Sequence, residues 1–150
     1  MTTRILFVCL GNICRSPTAH GVFERMAAEA GLAVEVDSAG TGGWHVGNPP
    51  DPRTIRAAAI RGYDLGGLRA RQVHRRDFSE FDLILAMDRA NLAELRRLQP
   101  EGNETPLRLF LDYADSPRDE VPDPYYDGGF DLVLDLVEDA ARGLIRELSR

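Results

Sequence analysis

The sequence predicts an α/β fold in three layers: an open, twisted parallel sheet of about four strands with helices on both faces. Two continuous apolar runs, residues 5–8 and 83–86, have the length and partly β-branched composition of strands that are buried on both sides. Helical spacing of apolar residues follows each run, and it is most regular at residues 130–148. Strands that alternate with helices are typical of a parallel sheet covered on both faces.

The first strand and the first helix enclose a short loop. The strand at residues 5–8 ends at Cys9, and Ser16 followed by Pro17 predicts a helix N-cap with proline at the first helical position. Gly31 is a natural stop for this helix. Its predicted buried face consists of Val22, Phe23, Met26, Ala27 and Ala30.

The same signals predict the remaining elements. Asp51 and Pro52 begin a second helix that ends near Gly62, and Pro100 stops a later one. The predicted strands are residues 33–38, 81–87 and 107–111, and the later helices are residues 90–98 and 130–148. Residues 38–50, 63–78 and 112–129 are predicted loops. The predicted buried face of the last helix consists of Phe130, Val133, Leu134, Val137, Ala141, Leu144, Ile145 and Leu148.

The loop between Cys9 and Arg15 has the features of an anion site. A loop that ends at a helix start offers unpaired backbone N–H groups and the positive end of the helix dipole. A cysteine beside a helix N-terminus and an arginine favours the thiolate, which is the nucleophilic form. The guanidinium of Arg15 can bind two oxygens of a phosphate, and the Ser16 hydroxyl could donate a hydrogen bond to the sulfur. Gly11 permits the turn that this loop requires.

Composition and charge argue against several classes of function. The 150 residues suit one domain, residues 1–150, with one well-buried core. A net charge of −6 argues against nucleic-acid and anionic-membrane partners, so attraction for phosphate must be local. No apolar run suits a membrane span or a signal peptide, and two cysteines five residues apart indicate a reducing cytoplasm. We expect no metal site, with His20, His45 and His74 at the surface.

Residues 9–17, C-L-G-N-I-C-R-S-P, resemble the signature loop of the low-molecular-weight protein tyrosine phosphatases, which reads C-x5-R-S with Gly-Asn inside. Further matches to this family are S-A-G-T at 38–41, W-H-V-G at 44–47, A-R-Q at 70–72, M-D-R-A-N at 87–91 and D-P-Y-Y at 123–126. The resemblance covers most of the chain. It implies a flavodoxin-like fold and an enzyme that needs no cofactor.

The resemblance also implies roles for individual residues. Cys9 would be the nucleophile, Arg15 the phosphate clamp and Asp123 the general acid, with Pro124 restraining the backbone of Asp123. The implied phosphate-binding residues are Leu10, Gly11, Asn12, Ile13, Cys14, Arg15 and Ser16. The implied walls of the substrate cleft are Ile13, Trp44, Tyr125 and Tyr126. Two supporting contacts are implied: Ser38 would hydrogen-bond to Asn12, and Asp88 would anchor Arg15 or its loop.

The implied reaction is hydrolysis of phosphotyrosine on a protein substrate through a phosphocysteine at Cys9. Inorganic phosphate would be the product and an inhibitor, and the protein would be a monomer or a weak dimer. Because Asp123 must be protonated before it can act as an acid, we expect activity to favour mildly acidic pH.

Several alternatives remain open at this point. Arsenate reduction would require further cysteines late in the chain, and none follows Cys14. Relatives that act on phosphoarginine tend to carry Thr where this chain has Ile13, and a non-catalytic phosphate-binding module would also use this loop. Cys14 could form a reversible disulfide with Cys9 and so protect it from oxidation. Leu68 stands where relatives often carry a His that braces Asn12, which leaves the support of the loop undetermined.

Overall fold

The computed structural model describes residues 2–150. The strands and helices in chain order are β1 (Thr3–Cys9), α1 (Arg15–Glu29), β2 (Val34–Gly40), α2 (Pro52–Ile60), α3 (Asp77–Glu80), β3 (Leu83–Ala86), α4 (Arg89–Leu98), β4 (Leu107–Leu109) and α5 (Phe130–Leu148). A 3-10 helix, Phe110–Tyr113, follows β4. Within residues 2–150, no helix combines the length and the apolar character that crossing a membrane requires.

The four strands form one parallel sheet in the order β2-β1-β3-β4, which confirms the predicted α/β fold class. In the register of the sheet, Val8 of β1 lies opposite Ala39 of β2 and Ala86 of β3, and Cys9 lies opposite Gly40. The carboxyl ends of three strands therefore meet at one edge of the sheet. In open parallel sheets this edge is where ligands bind.

Both faces of β1 are buried, which fixes the position of the strand end that carries Cys9. On one face, the ring of Phe7 packs edge-on against Phe23 of α1, at 5.7 Å between centroids, and against Phe110, at 5.0 Å. Helix α5 completes this side of the core. On the other face, Leu6 belongs to a second cluster with Phe78 and with side chains of α4.

Helix α1 begins two residues earlier than predicted. Cys14, not Ser16, occupies the N-cap position, and no side chain caps the helix there. The correction has a physical reason, because the hydroxyl of Ser16 is engaged with Cys9 and Asn12 instead. The other end is as expected: the helix stops before Gly31, which adopts a φ of 72°.

Four other element predictions need correction. The strand predicted at 81–87 spans only Leu83–Ala86. Strand β2 extends to Gly40, where the position that a Cβ would take lies only 2.7 Å from the carbonyl oxygen of Leu10, so that only glycine fits. Strand β4 ends at Leu109, because the chain turns into a 3-10 helix that carries Phe110 into the core. The predicted loop at 63–78 runs into a short helix, α3, which begins at Asp77.

Candidate active site

Cys9 lies at the carboxyl end of a central strand and at the start of the loop that leads into α1. It is buried, and two donors approach its sulfur. The backbone N–H of Asn12 donates to Sγ at 3.2 Å, and the hydroxyl of Ser16 lies 3.0 Å from Sγ. Hydrogen bonds of this kind stabilise a negatively charged sulfur.

The direction of the Ser16 hydrogen bond follows from a chain of three contacts. The backbone N–H of Arg71 can only donate, and its partner is Oδ1 of Asn12, at 3.0 Å. The other end of that amide, Nδ2, must therefore donate to Ser16 Oγ, which lies 2.7 Å away. Because the Ser16 oxygen accepts this bond, its own hydrogen can point at Cys9 Sγ, which at 3.0 Å is nearer than its other acceptor, the carbonyl oxygen of Ala39 at 3.5 Å. The loop is thus organised as a donor to the sulfur.

Asn12 adopts a left-handed backbone conformation with φ of 57°, which asparagine tolerates better than most residues. Its expected hydrogen bond to Ser38 is not present. Instead, the Ser38 hydroxyl lies 3.1 Å from Nδ1 of His20, which is buried rather than at the surface as predicted. The brace that a family His would supply at Leu68 is provided here by the backbone of Arg71.

His20 lies in an environment that disfavours its charge. Burial lowers the pKa of His20 below its ordinary value of 6.5, although Glu24 and Asp37 nearby act in the opposite direction. The nearest carboxylate oxygen, on Glu24, is 3.7 Å from Nε2. We therefore describe His20 as a neutral partner of Ser38 at pH 7.

Arg15 is held from three sides. Its Nη1 donates to Asp88 at 2.6 Å and to the carbonyl oxygen of Val121 at 3.1 Å, and Nη2 lies 3.7 Å from Asp123. Burial by itself would lower the pKa of Arg15, but Cys9 and Asp88 outweigh burial and raise it, so the guanidinium stays charged. The expected anchoring of Arg15 by Asp88 is present. Asp88 also caps α4 through its second oxygen, which accepts the N–H of Asn91 at 2.7 Å.

Asp123 projects into the same cleft with its side chain 41% exposed. One oxygen accepts the backbone N–H of Tyr125 at 3.1 Å, which fixes the turn of the loop. The carboxylate is therefore oriented by its own loop and lies within reach of Arg15. The side chain remains accessible to a proton from solvent.

A single cleft contains these groups and has a volume of about 320 Å³. That volume suits a small organic ligand. The residues that line it are Cys9, Leu10, Gly11, Ile13, Cys14, Arg15, Trp44, His45, Asp123, Tyr125 and Tyr126. The structure therefore brings together the predicted cleft residues, while Asn12 and Ser16 lie buried beneath the loop.

A strut made by Arg53 connects the two halves of the cleft. The guanidinium pairs with Asp51 at 2.9 Å, donates to the carbonyl oxygen of Tyr125 at 3.0 Å and lies over the Tyr125 ring. The backbone N–H of Asp51 in turn donates to the carbonyl oxygen of Ile13 at 2.8 Å. The loop that carries Asp123 is thus tied to the loop that carries Cys9.

Comparison with known proteins identifies the family. The family model described as low molecular weight phosphotyrosine protein phosphatase matches residues 4–150. The chain belongs to this family. It is 43% identical over 149 residues to the low molecular weight protein-tyrosine-phosphatase YfkJ of Bacillus subtilis, an alignment that covers 97% of this chain and 96% of that protein.

Solved structures of the family agree with this fold. A crystal structure of a protein tyrosine phosphatase from Entamoeba histolytica superimposes with a TM-score of 0.94 at 40% identity, covering 98% of this chain and 97% of that one. The chain also resembles an arginine phosphatase from Drosophila, with a TM-score of 0.92 at 28% identity and coverage of 97% and 98%.

Sequence reasoning missed three members of this phosphatase-family site. His45 is not one of them: the W-H-V-G match placed its segment at a wall of the cleft, and the side chain lines the cleft against Gly11. Arg71, Arg53 and Asp51 act through contacts between segments that are far apart in sequence. The A-R-Q match at 70–72 was the one signal that could have pointed to Arg71. Because Arg71 acts on Asn12 through its backbone N–H, which does not depend on residue type, its role could not be read from the sequence.

Cys14 lies beside Cys9 in the cleft wall, and both cysteines are free thiols. Burial raises the pKa of Cys14 to about 11, although Thr54 acts in the opposite direction. Cys14 is therefore protonated at neutral pH. No group of three or more His, Cys, Asp and Glu side chains among residues 2–150 is arranged to hold a metal ion.

Proposed function

We propose that this protein is a protein tyrosine phosphatase that hydrolyses phosphotyrosine on protein substrates through a phosphocysteine at Cys9. The observation that carries this proposal is that a nucleophile, an anion clamp and a carboxyl group line one cleft: Cys9, Arg15 and Asp123. The names of its relatives support the same activity. Each chemical role is filled by a side chain of this protein, so the proposed reaction is independent of a metal.

In the first step, the Cys9 thiolate attacks phosphorus and an S–P bond forms. The P–O bond to the phenol breaks, and Asp123 gives its proton to the departing oxygen. In the second step, water attacks phosphorus, Asp123 takes a proton from that water, and the S–P bond breaks. Inorganic phosphate leaves and the Cys9 thiolate is restored.

Arg15 and the backbone N–H groups of residues 10–16, apart from the Asn12 N–H that donates to Cys9, hold the phosphoryl oxygens through both steps. This arrangement is electrostatic preorganisation, because the donors are fixed before charge shifts in the transition state. The Asp88 contact at 2.6 Å fixes one edge of the Arg15 guanidinium. Ser16 stabilises the sulfur both before attack and when it leaves.

The walls of the cleft favour an aromatic phosphate. Ile13, Trp44, Tyr125 and Tyr126 present apolar and aromatic surface to the ligand, and the two tyrosine rings pack edge to face at 4.9 Å. A phenol ring can stack on such surfaces, and the apolar side chain of Ile13 offers no hydrogen-bond acceptor to the N–H groups of a guanidino group. Ile13 therefore favours phosphotyrosine. Phosphoarginine is the second candidate, because the Drosophila arginine phosphatase is similar in structure.

The test is the burst of phenol released from an aryl phosphate in the presence of a chelator. Wild type should turn over, Cys9→Ser should be inactive, and Asp123→Ala should be slow chiefly for phenols that are poor leaving groups. Phosphoarginine assayed in parallel should be a poor substrate. Wild type that binds phosphate but releases no phenol would overturn the proposal in favour of a phosphate-binding module.

We also propose that residues 1–150 act as one domain, as a monomer or weak dimer in a reducing cytoplasm, with inorganic phosphate as a competing ligand. The continuous sheet and the two free cysteines support this description. The net charge of −6 argues against nucleic acid and anionic membranes as partners. Sedimentation velocity over a range of concentrations would test the assembly state.

A further inference from the structure

A second groove, which we name the Trp44 groove, adjoins the catalytic cleft. The groove has a volume of about 520 Å³, and its lining residues include Leu10, Gly42, Trp44, Gln72, Asn91 and Glu94. Leu10 and Trp44 line both the groove and the cleft. A protein substrate whose phosphorylated ring occupies the cleft can therefore reach the groove across this shared wall.

The shared wall is apolar and open to a ligand. Trp44 is 71% exposed and Leu10 is 44% exposed, although both are large hydrophobic side chains. The Trp44 ring folds over Gly42, where a Cβ would lie 1.9 Å from the ring, so glycine at this position allows the ring to lie flat on the loop. One face of the indole remains free.

Within residues 2–150, the groove contains one buried polar atom without a partner, on Asn91, and one carboxylate, on Glu94, whose two oxygens both accept hydrogen bonds from Arg97. Gln72 uses its side-chain N–H on the carbonyl oxygen of Thr41, at 3.1 Å. Asn91 is 2% exposed, and its Oδ1 accepts no hydrogen bond from any of residues 2–150. Glu94 adds a carboxylate, whose pKa is lowered by a hydrogen bond from Arg97 one turn later.

An aromatic face beside a carboxylate is the combination that binds a cationic side chain. The ring quadrupole attracts an ammonium or guanidinium group, and the long stem of lysine or arginine covers apolar surface such as Leu10. The groove thus offers an aromatic face and a carboxylate, whereas the cleft offers the Arg15 guanidinium to a dianion. Arg97 competes for Glu94, so the gain from a bound cation is modest.

We propose that the Trp44 groove binds the side chain of a lysine or arginine that directly flanks the phosphotyrosine of the substrate. This inference rests on the proposed function and specifies its substrate class further. Substrates with glutamate at that position would be disfavoured, because Glu94 and the net charge of −6 repel them.

The experiment compares phosphotyrosine peptides that differ only in the residue directly before or after the phosphotyrosine, which is Arg, Ala or Glu. An aryl phosphate without flanking residues provides the reference rate for each enzyme. For wild type we expect kcat/KM for the Arg peptide to exceed that for the Ala peptide by about three- to tenfold at one of the two positions. Equal values for all three residues at both positions would overturn the proposal.

Two variants with the same change in net charge distinguish a local effect of the Glu94 carboxylate from an effect of the overall charge of the protein. Glu94→Gln removes the carboxylate of the groove, and Glu101→Gln removes one that is exposed in the turn after α4. The preference for Arg should fall to less than about twofold in Glu94→Gln and persist in Glu101→Gln. An unchanged preference in Glu94→Gln would also overturn the proposal.

Failure of the proposed function has a different signature. In that case wild type would not hydrolyse the aryl phosphate at all, and the groove would be judged by fluorescence anisotropy with the same peptides. The Arg peptide should then bind more tightly than the Ala peptide to wild type but not to Glu94→Gln. Equal binding would overturn the inference about the groove.

Discussion

The backbone N–H of Arg71 donates a hydrogen bond to Oδ1 of Asn12 at 3.0 Å, although the two residues are 59 positions apart in the chain. The Arg71 guanidinium pairs with Asp37 and Asp77, each at 3.0 Å, and its carbonyl oxygen accepts the N–H of Gly40 at 2.8 Å. Arg71 is therefore fixed to the sheet edge, and it holds the phosphate-binding loop from outside. The direction of the hydrogen bond to Cys9 depends on this contact.

Two substitutions at Asn12 separate backbone conformation from hydrogen bonding. Asn12→Gly keeps access to the φ of 57° but loses both side-chain bonds, whereas Asn12→Ala also strains the backbone. We expect kcat/KM for an aryl phosphate to fall about tenfold in Asn12→Gly and further in Asn12→Ala. The unfolding free energy of Asn12→Ala should be about 1 kcal/mol below that of Asn12→Gly, because only alanine is strained at this φ. Urea unfolding and steady-state kinetics measure both effects. Wild-type kinetics in both variants would show that the brace is dispensable.

Gly40 should not tolerate a side chain. In Gly40→Ala the added Cβ would lie 2.7 Å from the carbonyl oxygen of Leu10, which belongs to the backbone of the phosphate-binding loop. We expect a loss of about 1–3 kcal/mol in unfolding free energy and a lower kcat. Gly67→Ala is the matched control, because nothing lies within 4 Å of its Cβ position. Equal stability of the two variants in urea would contradict this account.

Arg53 should support turnover because it holds the backbone of Tyr125, in the loop that carries Asp123. Arg53→Ala removes the strut between Asp51 and the loop that carries Asp123, so we expect kcat/KM for an aryl phosphate to fall about three- to tenfold. Arg56→Ala, an exposed arginine on the same helix, is the control and should remain near wild type. If both variants lose activity equally, the cause is the loss of positive charge rather than the strut.

Stability should depend on pH through His20. Because burial lowers its pKa in the folded protein, the unfolded chain binds more protons between that lowered pKa and 6.5. The unfolding free energy should therefore rise with pH across this window and fall as the pH drops through it, by at most about 1.4 kcal/mol per pH unit. Urea titrations at several pH values measure the slope. His20→Gln should flatten it, and an unchanged slope would assign the effect to other groups.

Cys14 should protect Cys9 during oxidation. A sulfenic acid on Cys9 can condense with the Cys14 thiol, which releases water and leaves a disulfide that dithiothreitol reverses. Because the pKa of Cys14 is about 11, we expect this disulfide to form faster as the pH rises. After peroxide treatment, Cys14→Ser should regain less activity than wild type. Equal recovery would remove Cys14 from any protective role.

The catalytic loop could be predicted from the sequence because its signals are local. Cys9 and Arg15 are six positions apart, and a buried strand before them and a helix after them place both at one sheet edge. The Asp88 contact to Arg15 also follows from a local signal, since Asp88 comes two residues after the end of a buried strand in the same parallel sheet. The general acid, Asp123, depended on resemblance to a family, because an Asp-Pro pair in a loop is common.

The partners of the loop could not be predicted in the same way. The expected bond from Ser38 to Asn12 is absent because Ser38 faces His20, and the brace comes instead from a backbone N–H, which every residue except proline carries. The sequence by itself determined the strand, loop and helix that present a thiol and a guanidinium, since apolar periodicity and helix start signals act over a few residues. Only the tertiary structure decided which groups orient that thiol and join the two cleft walls, because those contacts arise where packing of the sheet brings distant segments together.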